Sequence, residues 1–261
     1  MTQVVDELYD ELSVSAFRPK FCELEFSARG ALPGVAFAGE RCRGVVEGFV
    51  DRVDVWQSGG RPYVRVVDYK TGKKSFDYTN VLHGRGLQML LYLFALVRQG
   101  GHLLHGEPLP AGVLYFPARI ERVSVRDRLA QAEIEKERRK QLRRSGVLLN
   151  SDPVLEAMEP CGGSPRFLPY ALDKEGRKTG DLASFVQLAQ LERFVFRTVA
   201  ALGDELADGR IDPDPCIRDA KDSACAFCPY SEVCAGHEQP RWLKKITAEE
   251  FWQTLERREH G

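Results

Sequence analysis

The chain lacks any apolar run approaching the roughly 20 residues that a bilayer crossing requires, so no membrane-spanning helix is expected. Its opening stretch, MTQVVDELYDELSVS, is acidic and has no signal-peptide apolar core. The seven cysteines are therefore read in a reducing, cytoplasmic setting, where metal binding or core packing is expected in place of disulfides. An excess of charge of either sign is also missing: 37 Lys and Arg stand against 38 Asp and Glu, for a net charge of −1. Such a balance gives no global steering of a polyanion. Affinity for nucleic acid would have to come from local patches or partner subunits. Internal repeats and low-complexity tracts are absent, which sets repeat architectures aside.

What is present is 261 residues of 43% hydrophobic composition, enough for one large domain or one domain with an appendage. Residues 21–28 (FCELEFSA) alternate loosely and predict a strand, with two more at about 44–56 and 62–70. GLQMLLYLFALVRQG, Gly86 to Gly100, is apolar on nearly every face and predicts a buried helix. AGVLYFPAR, Ala111 to Arg119, predicts a short strand covered on both faces. A charged helix is expected over RDRLAQAEIEKERRKQLRRSG, then a short helix DPVLEAM capped by Asp152, then a loop over CGGSPRFLP. Ala183 to Gly209 predicts a long amphipathic helix stopped by Gly209, and a last helix is expected at about 247–258. These divide the chain into an α/β core at 1–120, a helical extension at 121–209 and a cysteine-bearing segment at 210–261.

GFVDRVDVWQSGGRPYVRVVDYKTG, Gly48 to Gly72, carries the most chemistry. Gly59-Gly60 is the doublet that a two-residue hairpin turn favours, and paired positions then sum to 119. Trp56 faces Tyr63 and Asp54 faces Arg65 on one side of the ribbon; Val55 faces Val64 and Val53 faces Val66 on the other. Next along the valine side, Asp51 faces Asp68, and Lys70 follows with the same orientation. Two carboxylates opposed on an apolar surface repel and lose hydration unless a cation sits between them. The expectation is a Mg²⁺ or Mn²⁺ site with a lysine beside it to position water and stabilise developing charge. The plain alternative is a surface pair on an edge hairpin. Gln88 and Tyr92, at i and i+4 on the apolar helix, share a face and need partners, either the site or the core itself. Cys225-x-x-Cys228-x₅-Cys234 suggests Zn²⁺ or an iron–sulfur cluster, with His237 or Cys216 as the fourth ligand. The basic run Lys136 to Arg144 suits a DNA patch or a solvated helix with i,i+4 pairs to Glu133, Glu135 and Glu137.

GFVDRVD, VVDYKTGKK and LQMLLYL, in that order, resemble the successive motifs of the RecB-like branch of PD-(D/E)xK nucleases. AGVLYFPARI, SGVLLNSDPVLEAMEP, DGRIDPDP and ACAFCPYSEVC extend the resemblance to the C-terminal nuclease domain of AddB-type subunits, from about Phe17 to the end. The resemblance implies an α/β, restriction-endonuclease-like fold with a mixed sheet flanked by helices and a helical, cysteine-bearing C-terminal part. It implies metal ligation by Asp51, Asp68 and the Tyr69 backbone carbonyl, a catalytic Lys70, and Gln88 and Tyr92 lining the site. It further implies that Cys225, Cys228 and Cys234 ligate a [4Fe–4S] cluster whose fourth cysteine lies upstream of the nuclease core; Cys216 is the nearest substitute here. The family's metal-binding histidine before the hairpin has no counterpart ahead of residue 44, and His83 is read as a surface or substrate contact. The chain accordingly reads as an N-terminally truncated subunit. The implied function is divalent-metal-dependent hydrolysis of DNA, more an exonuclease than an endonuclease, at single-stranded ends in double-strand-break repair, beside an AddA-like helicase–nuclease partner. The competing expectations are a non-catalytic module stapled by iron–sulfur or zinc, and a stand-alone Cas4-like exonuclease. The latter leaves SGVLLNSDPVLEAMEP unexplained.

Overall fold

The computed structural model describes residues 2–72, 75–120, 131–219, 222–234 and 240–260. Helix α1 (Thr2–Val14) precedes β1 (Arg18–Phe26), the short ribbon β2 (Val35–Ala38) and β3 (Arg43–Val46), and the long hairpin β4 (Gly48–Ser58) and β5 (Arg61–Lys70). Helices α2 (Tyr78–Leu82), α3 (Gln88–Gln99) and α4 (Gly101–Leu104) separate β5 from β6 (Leu109–Pro117). After α5 (Gln131–Leu142) come β7 (Ser145–Leu149), α6 (Asp152–Met158), the ribbon β8 (Tyr170–Leu172) and β9 (Lys178–Gly180), and β10 (Leu182–Ala183). Helix α7 (Phe185–Ala207) leads to β11 (Cys216–Asp219), β12 (Asp222–Ser223), a 3-10 turn over Ala224–Phe227, β13 (Arg241–Trp242) and α8 (Ala248–His260). Among the described residues, no helix is long and apolar enough to cross a membrane.

Two units interleave along the chain. The first takes Met1–Val35, Val45–Phe76 and Leu87–Arg193; the second takes Ala36–Gly44, Asp77–Gly86 and Phe194–Gly261. The sequence pattern suggests three consecutive stretches instead, because composition changes along the chain while packing brings distant segments together.

The first unit is built on a mixed six-stranded sheet in the order β1-β4-β5-β6-β7-β10. Strands β1, β4 and β5 run antiparallel, β5 pairs parallel with β6, and β6 pairs antiparallel with β7. Gly59 and Gly60 both have positive φ, +56° and +75°, which is what the two-residue turn demands. The β4–β5 register places Asp54 opposite Arg65, Val55 opposite Val64 and Trp56 opposite Tyr63, as the sequence predicts. Residues Ala111–Phe116 of β6 are buried without interruption, so this central strand is covered on both faces. Helix α3, buried from Met89 to Leu96, packs against β5 and β6.

The face of β5 that carries Arg65 is closed by charge. Arg65 is 0% exposed and donates from Nε to Asp54 Oδ2 and from Nη2 to Glu11 Oε1, both at 2.9 Å. Glu11 Oε2 in turn accepts from Arg144 Nε at 2.9 Å and Nη2 at 2.6 Å. Arg52 extends the chain at its other end, with Nε 2.9 Å from Asp54 Oδ1. Acidic α1 thus turns carboxylates inward while Val5 and Tyr9 stay exposed. Each buried carboxylate lies between two guanidiniums, the condition under which such groups tolerate loss of water.

Several expectations are corrected. The charged helix ends at Leu142, and Ser145 and Gly146 begin β7, because Val147–Leu149 complete the sheet beside β6. Ser151, not Asp152, occupies the N-cap of α6, and it makes no side-chain capping bond. The strand expected at 44–56 breaks at Glu47 into β3 and β4. Residues 126–130 of the charged stretch lie outside the described residues.

In the second unit, Tyr78 of α2 packs against Phe251 of α8 at 5.0 Å between ring centroids. Phe194 and Trp252 complete this cluster. Asp204 of α7 accepts hydrogen bonds from the backbone of Glu40, Arg41 and Cys42, the Arg41 bond first in holding its carboxyl below the usual range. Thr247 caps α8: its Oγ1 accepts from Glu250 N, and its own N–H donates to Glu250 Oε2 at 2.7 Å.

Candidate active site

The β4–β5 ladder stops at Arg52 and Val67, one pair short of the aspartates. Beyond it the Asp51 side chain takes over, with Oδ2 accepting from the Tyr69 backbone N–H at 2.8 Å. Asp68 is 7% exposed and its Oδ2 is ion-paired with Lys70 Nζ. Among the described residues that oxygen accepts no hydrogen bond of good geometry, so a buried, charged lone pair is left facing one ammonium. The structure therefore brings Asp51, Asp68, Tyr69 and Lys70 together at the C-terminal end of β5. Two carboxylates with a spare buried oxygen suit a hard divalent ion, which takes few protein ligands and keeps waters or phosphate oxygens.

Gln88 and Tyr92 separate in role. Gln88 is the first residue of α3 and is exposed, so it needs no protein partner. Tyr92 is buried and stacks on Phe26 at 5.0 Å. Its hydroxyl lies where a Cβ on Gly48 would be, 2.0 Å from that position, so the glycine three residues before Asp51 makes room for the tyrosine. The motif spacing is thus a packing relation between β4 and α3.

Three residues escape the sequence reading. Tyr115 pairs with Asp68 across the parallel β5–β6 ladder, and Lys70 Nζ stands 6.0 Å from its ring centroid. Burial, and then the charge of Asp68, push its phenol up to about 12, so it remains a neutral donor at any ordinary pH. Arg52 and Tyr69 meet on the opposite face, with Arg52 Nη1 donating to the Tyr69 hydroxyl at 2.6 Å. The available signal was the alternation of β5, which turns Tyr69 away from Asp68 and Lys70 and toward the face of Arg65.

The cysteine motif has no comparable geometry. Cys225 lies in the 3-10 turn and Cys228 caps it, while Cys234 N–H bonds to the Tyr230 carbonyl at 2.9 Å. Among the described residues, Cys216 included, no group of three or more His, Cys, Asp or Glu is arranged to hold a metal ion. His237 lies outside the described residues. His83 is exposed; partial burial, then Arg241, Arg258 and Arg85, hold its imidazole below the usual value. The basic run is partly structural: Arg144 is buried on Glu11, and Arg143 donates to the carbonyls of Leu168 and Tyr170. Only its α5 portion remains a solvated face, where Lys140 pairs with Glu137 at 2.5 Å.

The family model described as the PD-(D/E)XK nuclease superfamily matches residues 1–235. An ATP-dependent helicase/deoxyribonuclease subunit from Moorella thermoacetica is 36% identical over 239 residues, which are 90% of this chain and 21% of that protein. Its namesake from Clostridium kluyveri is 29% identical over 98% of this chain and 23% of its own length. That from Oceanobacillus iheyensis is 30% identical over 87% of this chain and 20% of its own length. The chain spans about a fifth of the curated relatives it matches. With a family match across most of its length and a mixed sheet that gathers two aspartates and a lysine at one strand end, the chain belongs to the PD-(D/E)XK nuclease superfamily.

Proposed function

We propose that the chain hydrolyses DNA phosphodiesters with Mg²⁺ or Mn²⁺ held by Asp51, Asp68 and the Tyr69 carbonyl. The supporting observation is the buried Asp68 oxygen that has an ion pair but no hydrogen bond, beside an Asp51 already oriented by Tyr69 N–H. A divalent ion there would supply Lewis-acid polarisation of the phosphoryl group and a more acidic attacking water. Lys70 keeps a positive charge next to the carboxylates, where phosphoryl oxygens gain charge as the bond breaks. Gln88, exposed at the start of α3, is free to contact the incoming strand, and Tyr92 braces Gly48 and so the start of β4.

The name of the relatives supports a setting in a helicase–nuclease, with single-stranded ends as substrate, an AddA-like partner, exonucleolytic action and a cytoplasmic location. For the iron–sulfur cluster the Cys225-x-x-Cys228-x₅-Cys234 spacing is the support. The described side chains do not converge on such a group, and no step is assigned to it. Asp68→Ala is expected to abolish metal-dependent cleavage of single-stranded DNA by the assembled helicase–nuclease. Cleavage at the unmodified rate would overturn the assignment.

A further inference from the structure

Tyr69 sits between the two residues of β5 that carry the chemistry, and its side chain leaves the strand on the other face. Its hydroxyl accepts from Arg52 Nη1 at 2.6 Å, and Arg52 Cζ stands 5.4 Å from its ring centroid. Arg52 is the neighbour of Asp51 on β4 and is itself held, with Nη2 donating to Asp54 Oδ2 at 3.1 Å. Asp54 is 0% exposed and shares that oxygen with Arg65, which Glu11 of α1 grips in turn. At the other end of this chain of contacts, the Tyr69 backbone N–H holds Asp51 Oδ2. One residue is therefore clamped through its side chain and clamps a carboxylate through its backbone.

The geometry points to Arg52 and Tyr69 as positioning residues for a divalent ion at Asp51 and Asp68, acting from the far face of the sheet. This rests on the metal site proposed above. With the phenol fixed by Arg52, the Tyr69 peptide cannot rock, so the N–H that orients Asp51 and the carbonyl that faces the ion keep one spacing. The buried charge chain behind Arg52 gives the clamp a rigid footing in α1. Groups that orient metal ligands from behind are commonly worth about 10–100-fold in metal affinity.

The test is Mn²⁺ binding to the 261-residue chain, read from the electron paramagnetic resonance of free Mn²⁺. Tyr69→Phe deletes one oxygen, and Arg52→Lys keeps a cation beside Asp54 while losing the fork that reaches Tyr69. Each is expected to weaken Mn²⁺ binding about 10-fold at unchanged folded fraction by circular dichroism. If Asp68→Ala loses Mn²⁺ while both variants bind like the unmodified chain, the positioning role is overturned and the metal site stands. Weakening that merely follows a loss of folded protein in both variants overturns it as well. Full Mn²⁺ binding by Asp68→Ala, or none by the unmodified chain, removes the metal site and the inference with it.

Discussion

Gly48 shows how one missing side chain ties a strand to a helix. A methyl group there would lie 2.0 Å from the Tyr92 hydroxyl oxygen and 3.2 Å from its Cζ. Gly48→Ala therefore forces Tyr92 off its stack with Phe26 and is expected to cost about 1–3 kcal/mol, as overpacking in a filled core does. Removing the hydroxyl relieves the closer of the two clashes. Tyr92→Phe added to Gly48→Ala should restore about half of the loss in urea midpoint, and strictly additive losses would refute the contact. The same position illustrates what the residue pattern conveys. Gly48, Asp51, Asp68 and Lys70 were legible because hairpin register is arithmetic once the turn is known. The division between exposed Gln88 and buried Tyr92 was not legible, since i and i+4 share a face but the end of a helix can clear the sheet that its next turn covers.

Helix α1 is the element whose role inverts its composition. Its run of acids reads as a solvated face, yet Glu11 is 1% exposed and joins Arg65 to Arg144. The sequence could not reveal this, because Arg65 and Arg144 lie 54 and 133 residues away and alternation alone does not say which strand face a helix covers. Loss of one partner leaves two buried guanidiniums short of an anion. Glu11→Ala is thus expected to cost about 3–5 kcal/mol in a denaturant titration near neutral pH. The pH dependence follows from the sign of the shift. Burial alone would raise the Glu11 carboxyl, but Arg65, Arg144 and Arg52 outweigh it and hold it below its ordinary 4.5. Its contribution is complete above that ordinary value and is lost as pH falls through the lower, folded value. The gap between unmodified chain and Glu11→Ala should therefore narrow as pH drops below 4.5. A gap of constant size across that range would mean that Glu11 is not held ionised by its neighbours.

At the scale of the whole chain, the strands and helices were largely legible and their grouping was not. The hairpin, α3, β6, α7 and α8 follow from local periodicity, but no local pattern says that α2 belongs with α8. The structure places Asp77–Gly86 in one unit with Phe194–Gly261, through Tyr78 on Phe251, an Asp77–Arg218 ion pair, and Ile246 N–H on Thr79 Oγ1 at 3.1 Å. Phe251 is 0% exposed at the centre of that aromatic cluster, so Phe251→Ala should cost about 3–5 kcal/mol. Where the cost appears distinguishes two organisations of the chain. If the interleaved units are the cooperative ones, amide hydrogen exchange in the variant should accelerate together in α2, the C-terminal half of α7 and α8. Amides of β5 and β6 should remain slow, because their burial depends on α1, α3 and the sheet itself. If consecutive stretches were the cooperative ones, α8 would open with its sequence neighbours while α2, more than 160 residues upstream, kept its protection. The aromatic contact favours the first outcome. Tyr78 and Phe251 bury each other, so removing one ring exposes the other and the helix that carries it.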